Sequence, residues 1–170
     1  KKYTVNAING TIKGPAIHVK NGWTLSVNVI NGLLDGGIGL SIHWHGLNMR
    51  GNQEFDGVVG LTQCPIAMKH AFLYKWKINE QPGTYWYHTH DRKMFPSDKI
   101  DFVKGPLIIH EDDAPMPAKQ TSYQWNNEII LFYVYIDGDD VGVVNGEKHP
   151  LIQVENGEYR FRIINGGGPV

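Results

Sequence analysis

The stretch FLYKWKI, residues 72 to 78, alternates without a slip: Phe72, Tyr74, Trp76 and Ile78 on one side, Leu73, Lys75 and Lys77 on the other. Side chains leave a pleated strand on alternate faces, so this period of two marks a half-buried β-strand. The rest of the chain is cut to the same measure. Gly and Pro punctuate short runs rich in Val, Ile, Tyr, Trp and Phe, and no amphipathic helical pattern of any length competes with them. The pattern predicts strands at about 2–8, 15–20, 23–30, 38–45, 70–78, 83–89 and 104–110. Some seven short strands separated by turn signals give an all-β fold, a Greek-key sandwich or barrel.

A second unit follows. The acidic, Pro-rich stretch HEDDAPMPAKQTS (110–122) has little to bury and reads as a linker, and EIILFYVYI (128–136) after it reads as a buried strand. Asn9-Gly10, Pro15, Ile17, Val19, Asn21-Gly22 and Ile30-Asn31-Gly32 recur as Asn145-Gly146, Pro150, Ile152, Val154, Asn156-Gly157 and Ile164-Asn165-Gly166. The offset of about 135 residues is that of a duplicated domain rather than a solenoid repeat. The expected organisation is a first domain over 1–111, a linker over 112–122, and the start of a truncated second domain over 123–170. The first residues read directly as a strand, with any leader peptide already removed.

A net charge of −1 with interspersed signs provides no basic face for nucleic acid, and no apolar run approaches a membrane span. The single cysteine, Cys64, excludes an internal disulfide and a cysteine-based zinc site. Asn9-Gly10-Thr11 is at once a tight-turn sequence and an acceptor for an N-glycan in a secreted protein.

Four of the eight histidines fall into two His-x-His doublets, His43/His45 in SIHWHG and His88/His90 in TYWYHTH. Residues i and i+2 of a strand share a face, so each doublet presents two imidazoles together. If the two strands are neighbours, four imidazoles converge on one patch, to serve one metal or to straddle two. Imidazole suits copper, zinc, iron and nickel, and the lack of thiolate or carboxylate neighbours points away from structural zinc. One doublet at a strand end is readily incidental; two, each set in aromatics beside a turn, are not readily packing residues. The single histidines His18, His70, His110 and His149 are expected at the surface or in turns.

In IHWHGLNMRGNQEFDGVVGLTQCPI (42–66), QPGTYWYHTH (81–90), KGPLIIHED (104–112) and VVNGEKHPLIQVENGEYRFRIING (143–166) the chain resembles the multicopper oxidases, the family of laccases, ascorbate oxidases and ferroxidases. The resemblance implies a cupredoxin-like Greek-key sandwich followed by an incomplete second one. It also implies copper as cofactor, in a trinuclear cluster of a type 2 ion and a type 3 pair lying between the family's first and third domains. Carried over position by position, it implies His43 on the type 2 copper, His45 and His88 on one type 3 copper and His90 on the other. Asp56 matches a family carboxylate that assists proton delivery during O2 reduction; it also begins an Asp-Gly turn, and the two roles are compatible. The family cysteine at position 64 is in many relatives disulfide-linked to a C-terminal region.

Departures from the family pattern are Met68-Lys69 where Pro-Gly is usual, and Asp101-Phe102-Val103, preceded by DRKMFPSDKI, where the family has DGL. The latter change implies altered access to the cluster. The C-terminal histidine motifs and the type 1 copper site are missing. The expectation is thus the N-terminal portion of a secreted, laccase-like oxidase. It would take single electrons from a reducing substrate such as a phenol or a metal ion and pass them to O2, completed by further domains or a complementary chain that Cys64 joins. Two rivals stand beside it: a non-enzymatic copper-binding or extracellular matrix protein with the same fold, and a zinc hydrolase built on the doublets. The doublets lack the following Asp-His that a binuclear zinc hydrolase carries.

Overall fold

A computed structural model describes residues 5–33, 39–90, 100–119, 121–136 and 141–167. Twelve strands and one 3-10 turn (Gln53–Phe55) make up its regular structure, which contains no α-helix among the described residues. The all-β expectation holds. No helix among those residues is long and apolar enough to cross a membrane.

The central sheet has the order β2-β8-β6-β4, built from Ile17–Lys20, Lys104–His110, Gly83–His88 and His43–His45. β2 runs parallel to β8, and β8–β6 and β6–β4 are antiparallel. Facing this sheet is the antiparallel ribbon of β3 (Thr24–Ile30) and β5 (Ala71–Lys77). Between them lies a core that includes Val19, Leu25, Trp44, Tyr74, Trp76, Ile78, Tyr87, Leu107 and Ile109. The FLYKWKI alternation is realised here, with Tyr74, Trp76 and Ile78 buried and Leu73, Lys75 and Lys77 exposed. The short pair β1 (Val5–Asn6) and β7 (Ile100–Asp101) is parallel.

The central sheet is covered on its other face as well. β9 (Gln124–Trp125), β10 (Glu128–Ile136), β11 (Val141–Val144) and β12 (Arg160–Asn165) form a second sheet, with β10 between β11 and β12. Its residues Trp125, Ile130, Phe132, Val134, Val143 and Ile164 pack with Ala16, Phe102 and Ile108 of the first unit. Burial on both faces explains why β8 reads as a continuous apolar run rather than an alternating one. Polar contacts reinforce the junction: Arg162 Nη1 donates to Thr84 Oγ1 at 3.0 Å and the Tyr123 hydroxyl to the Gly14 carbonyl at 2.6 Å.

Three expectations need correction. Of the predicted strand 38–45, residues 39–45 are described, and of those β4 covers only 43–45. Leu40 bridges to Ile66 alone and the Ile42 N–H is satisfied by the Tyr74 hydroxyl at 2.9 Å, so the backbone there bonds outside a continuous ladder. The repeat is only partly structural. Both Asn-Gly pairs adopt positive φ (51° and 74° at 9–10, 54° and 84° at 145–146) and close equivalent turns. By contrast Ile152 and Val154 lie outside any strand, whereas Ile17 and Val19 lie in β2 beside β8. The third concerns the single histidines. His70 and His149 are exposed, but His18 and His110 are buried, at 2% and 3% exposure. Their even parity turns them towards the second sheet, where Trp125 stands edge-on to both rings. The 91–99 segment, expected to alter access to the cluster, lies outside the described residues.

Candidate metal centre

β4 and β6 are antiparallel neighbours in the register His43↔His88, Trp44↔Tyr87 and His45↔Trp86. Trp44 and Tyr87 point into the first core, which leaves His43, His45, Trp86 and His88 on the opposite face. Each doublet thereby meets the other: the His43 ring centroid is 5.8 Å from His45, 5.4 Å from His88 and 4.8 Å from His90. One nitrogen from each of His43, His45 and His88 lies within 4.8 Å of the other two. His90 is exposed at the end of the run, its ring stacked 6.0 Å from His88.

Hydrogen bonds fix which nitrogens are free. His43 Nδ1 donates to the Asp56 carbonyl at 2.8 Å, and His88 Nδ1 to the Thr89 carbonyl at 2.6 Å, since carbonyls only accept. In the neutral rings Nε2 of both then carries the lone pair. His88 Nε2 faces His45 Nδ1 at 3.2 Å, where the proton of one imidazole fills the place a metal ion would take. Burial, followed by the neighbouring His43 and His45 and by Lys104, pushes the His88 imidazole down to about 4 against the opposing Thr89 hydrogen bond. His45 is also lowered, by burial and then by His43 and His90. Both rings are therefore neutral at pH 7, the protonation state a ligand needs. Neutral imidazoles whose nitrogens converge, with no thiolate among them, fit copper once the His45 proton moves to Nε2.

The surroundings hold these rings in place. Asp56 follows the 3-10 turn, and its Oδ1 lies 3.3 Å from His43 Nδ1. Gly57, at φ +76°, must be glycine: a Cβ there would sit 1.8 Å from the Ile42 carbonyl oxygen, immediately before His43. Asp101 accepts from the Thr89 hydroxyl and from the Val103 N–H, which secures the chain just after His88. The buried Glu80 carboxylate accepts from the Asn48 N–H and side-chain amide and from the Met49 N–H, at 3.0, 2.9 and 3.2 Å, and so ties down the turn after His45. Sequence reasoning singled out none of Trp86, Glu80, Thr89 and Asp101 for these roles. Trp86 alone carried a usable signal, sharing the parity of His88.

A sequence model of the multicopper oxidases matches residues 1–114. The chain belongs to the multicopper oxidase family. Among curated members of the family it is 35% identical over 198 residues to Laccase-2 of Botryotinia fuckeliana, covering 97% of this chain and 32% of that protein. To Laccase-1 of Cryptococcus neoformans var. grubii it is 38% identical over 128 residues, covering 75% of this chain and 19% of the relative. The crystal structure of Fet3p, a multicopper oxidase that functions in iron import, superposes with a TM-score of 0.73 at 30% identity, over 94% of this chain and 32% of that one. The cupredoxin fold of such neighbours is the fold expected from the sequence resemblance. The chain spans only about a fifth to a third of the length of these family members.

Proposed function

We propose that this chain carries the first-domain half of a trinuclear copper site in a laccase-like oxidase, which oxidises a small reducing substrate by single electrons and reduces O2 to water. The observation that supports this reading is the facing of His45 Nδ1 and His88 Nε2 at 3.2 Å, with the other nitrogen of His88 committed to a carbonyl. Two nitrogens bound ~2.0 Å from one tetrahedral ion stand ~3.3 Å apart, so this pair fits a shared ion with little movement. Bound copper supplies the one-electron redox chemistry. In this reading His45 and His88 hold one type 3 ion, His90 the other, and His43 the type 2 ion. The Asp56 carbonyl keeps the proton of His43 on Nδ1 and leaves Nε2 as ligand. The Asp56 carboxylate, beside the same ring, moves protons towards oxygen as negative charge builds there.

The remaining ligands and the substrate site belong to segments outside residues 1–170. The reducing substrate is a small donor such as a phenol or a metal ion. Cys64 is a free, exposed thiol, open to a disulfide with one of those segments. Asn9 is exposed on its turn, as an N-glycan on a secreted protein requires.

Metal analysis of the complete protein tests the reading. Copper is expected, with a loss of copper in His45→Ala and His88→Ala; zinc in its place would overturn it. Residues 1–170 alone should bind copper weakly and consume no O2 with a phenolic donor. Turnover by the isolated chain would show that the site is not a half-site.

A further inference from the structure

The indole of Trp86 lies against two imidazoles at once. Its centroid is 4.7 Å from that of His45 and 4.3 Å from that of His88, with interplanar angles of 28° and 26°. His45 and His88 are themselves only 5.4 Å apart. Rings stacked on opposite faces of an indole would be separated by roughly 7 Å, twice a contact distance of ~3.5 Å. Both imidazoles therefore rest on the same face. Strand geometry puts them there, because His45 is the cross-strand partner of Trp86 and His88 follows it by two residues along β6.

Trp86 is in turn held from the second sheet. It packs with the core between the sheets, and the Phe132 ring of β10 meets it edge-on at 6.1 Å. The indole is thus a floor beneath the two imidazoles whose nitrogens face each other at 3.2 Å. Such a floor acts in two ways. It restricts the rotation of both rings, so that the two nitrogens face one point before an ion arrives. Its electron-rich face also attracts the positive charge that imidazoles take on when they bind a cation, an attraction strongest for indole among the aromatic side chains.

We infer that Trp86 is a positioning residue for metal at the His45–His88 pair, its aromatic face setting the planes of both rings and stabilising the bound cation. This rests on reading the histidines as metal ligands. Groups that orient metal-bound histidines typically alter metal affinity by roughly 10–100-fold. Aromatic character, rather than bulk, is what the role demands. Phe keeps a weaker aromatic face, while Leu keeps an apolar side chain and no face.

The experiment is an anaerobic Cu(I) titration of the full 170-residue chain, followed through imidazole and indole proton resonances, on wild type, Trp86→Phe and Trp86→Leu. Thermal unfolding is measured alongside. Trp86→Leu is expected to weaken Cu(I) binding about tenfold and Trp86→Phe about threefold, with similar unfolding temperatures for the two variants. Equal affinity in wild type and Trp86→Leu, or equal losses in the Leu and Phe variants, would overturn the inference while leaving the metal reading intact. Because a half-site binds weakly, the titration runs to millimolar Cu(I), and a wild-type chain whose imidazole resonances do not shift even there would overturn the metal reading and the inference with it. Should Trp86→Leu not fold, the wild-type titration still decides: the Trp86 indole resonances must shift in step with those of His45 and His88, and indole resonances that stay fixed would overturn it.

Discussion

Acidification should loosen the packing between the central and second sheets through His18 and His110. His18 Nε2 donates to the Ser122 carbonyl at 2.9 Å, so in the neutral ring Nδ1 accepts from His110 Nε2–H, also at 2.9 Å. Protonating His18 would set two N–H donors against each other, and protonating His110 would leave a buried positive charge. Burial pushes His110 down to about 4, helped by the charges of His18, Arg162 and Lys20 and opposed by Glu128. His18 is lowered for the same leading reason, with Arg162 adding to the effect and the Ser122 hydrogen bond and Glu128 opposing it. An unfolded histidine titrates near ~6.5, so between pH 6.5 and about 4 the unfolded chain binds more protons than the folded one. The stabilisation is therefore complete above pH 6.5 and is lost as the pH falls through this window. Each pH unit below ~6.5 removes about 1.4 kcal/mol for His110, hence about 2 kcal/mol by pH 5. At 3% exposure little of this is screened by solvent. Urea unfolding at pH 7 and pH 5, followed by tryptophan fluorescence, measures the loss; about 2 kcal/mol moves the midpoint by roughly 1 M. His45 and His88 contribute in the same direction, so the decisive quantity is the difference between wild type and His110→Gln, which keeps an N–H for His18 and does not titrate. Wild type should lose about 2 kcal/mol more than His110→Gln over the interval. Parallel stability–pH curves for the two proteins would refute the reasoning.

Glu80→Ala removes the acceptor of three donors at the turn after His45, the buried Met49 N–H among them, and should cost roughly 2–4 kcal/mol in urea unfolding. A cost below about 0.5 kcal/mol, within the range of ordinary surface substitutions, would show that water replaces the carboxylate freely. On the proposed function, Asp56→Asn in the complete protein keeps the turn and the carbonyl that orients His43 but removes the carboxylate assigned to proton transfer. Stopped-flow reoxidation by O2 should slow at least about tenfold with copper content unchanged, and a wild-type rate would end the proton-delivery role.

Period-two alternation was enough to determine much of this protein. It placed Tyr74, Trp76 and Ile78 in a core and His43 and His45 on one side of β4, because strand parity is a local property of the backbone, whereas His90 lies beyond the end of β6 and stacks 6.0 Å from His88 there. The motifs around His43, His45, His88 and His90 carried the family. Parity does not say which strands are neighbours or what covers each face. The register His43↔His88 brings the doublets together, and it depends on β4 and β6, some forty residues apart in sequence, lying side by side. The second sheet lies over β2, β8 and β6, and this alone turned His18 and His110 from expected surface residues into a buried neutral pair. It also fixed Trp86 against Phe132 beneath two imidazoles. A histidine's protonation and role depend on what packs against it, and that packing comes from residues remote in the chain, so tertiary structure decided it.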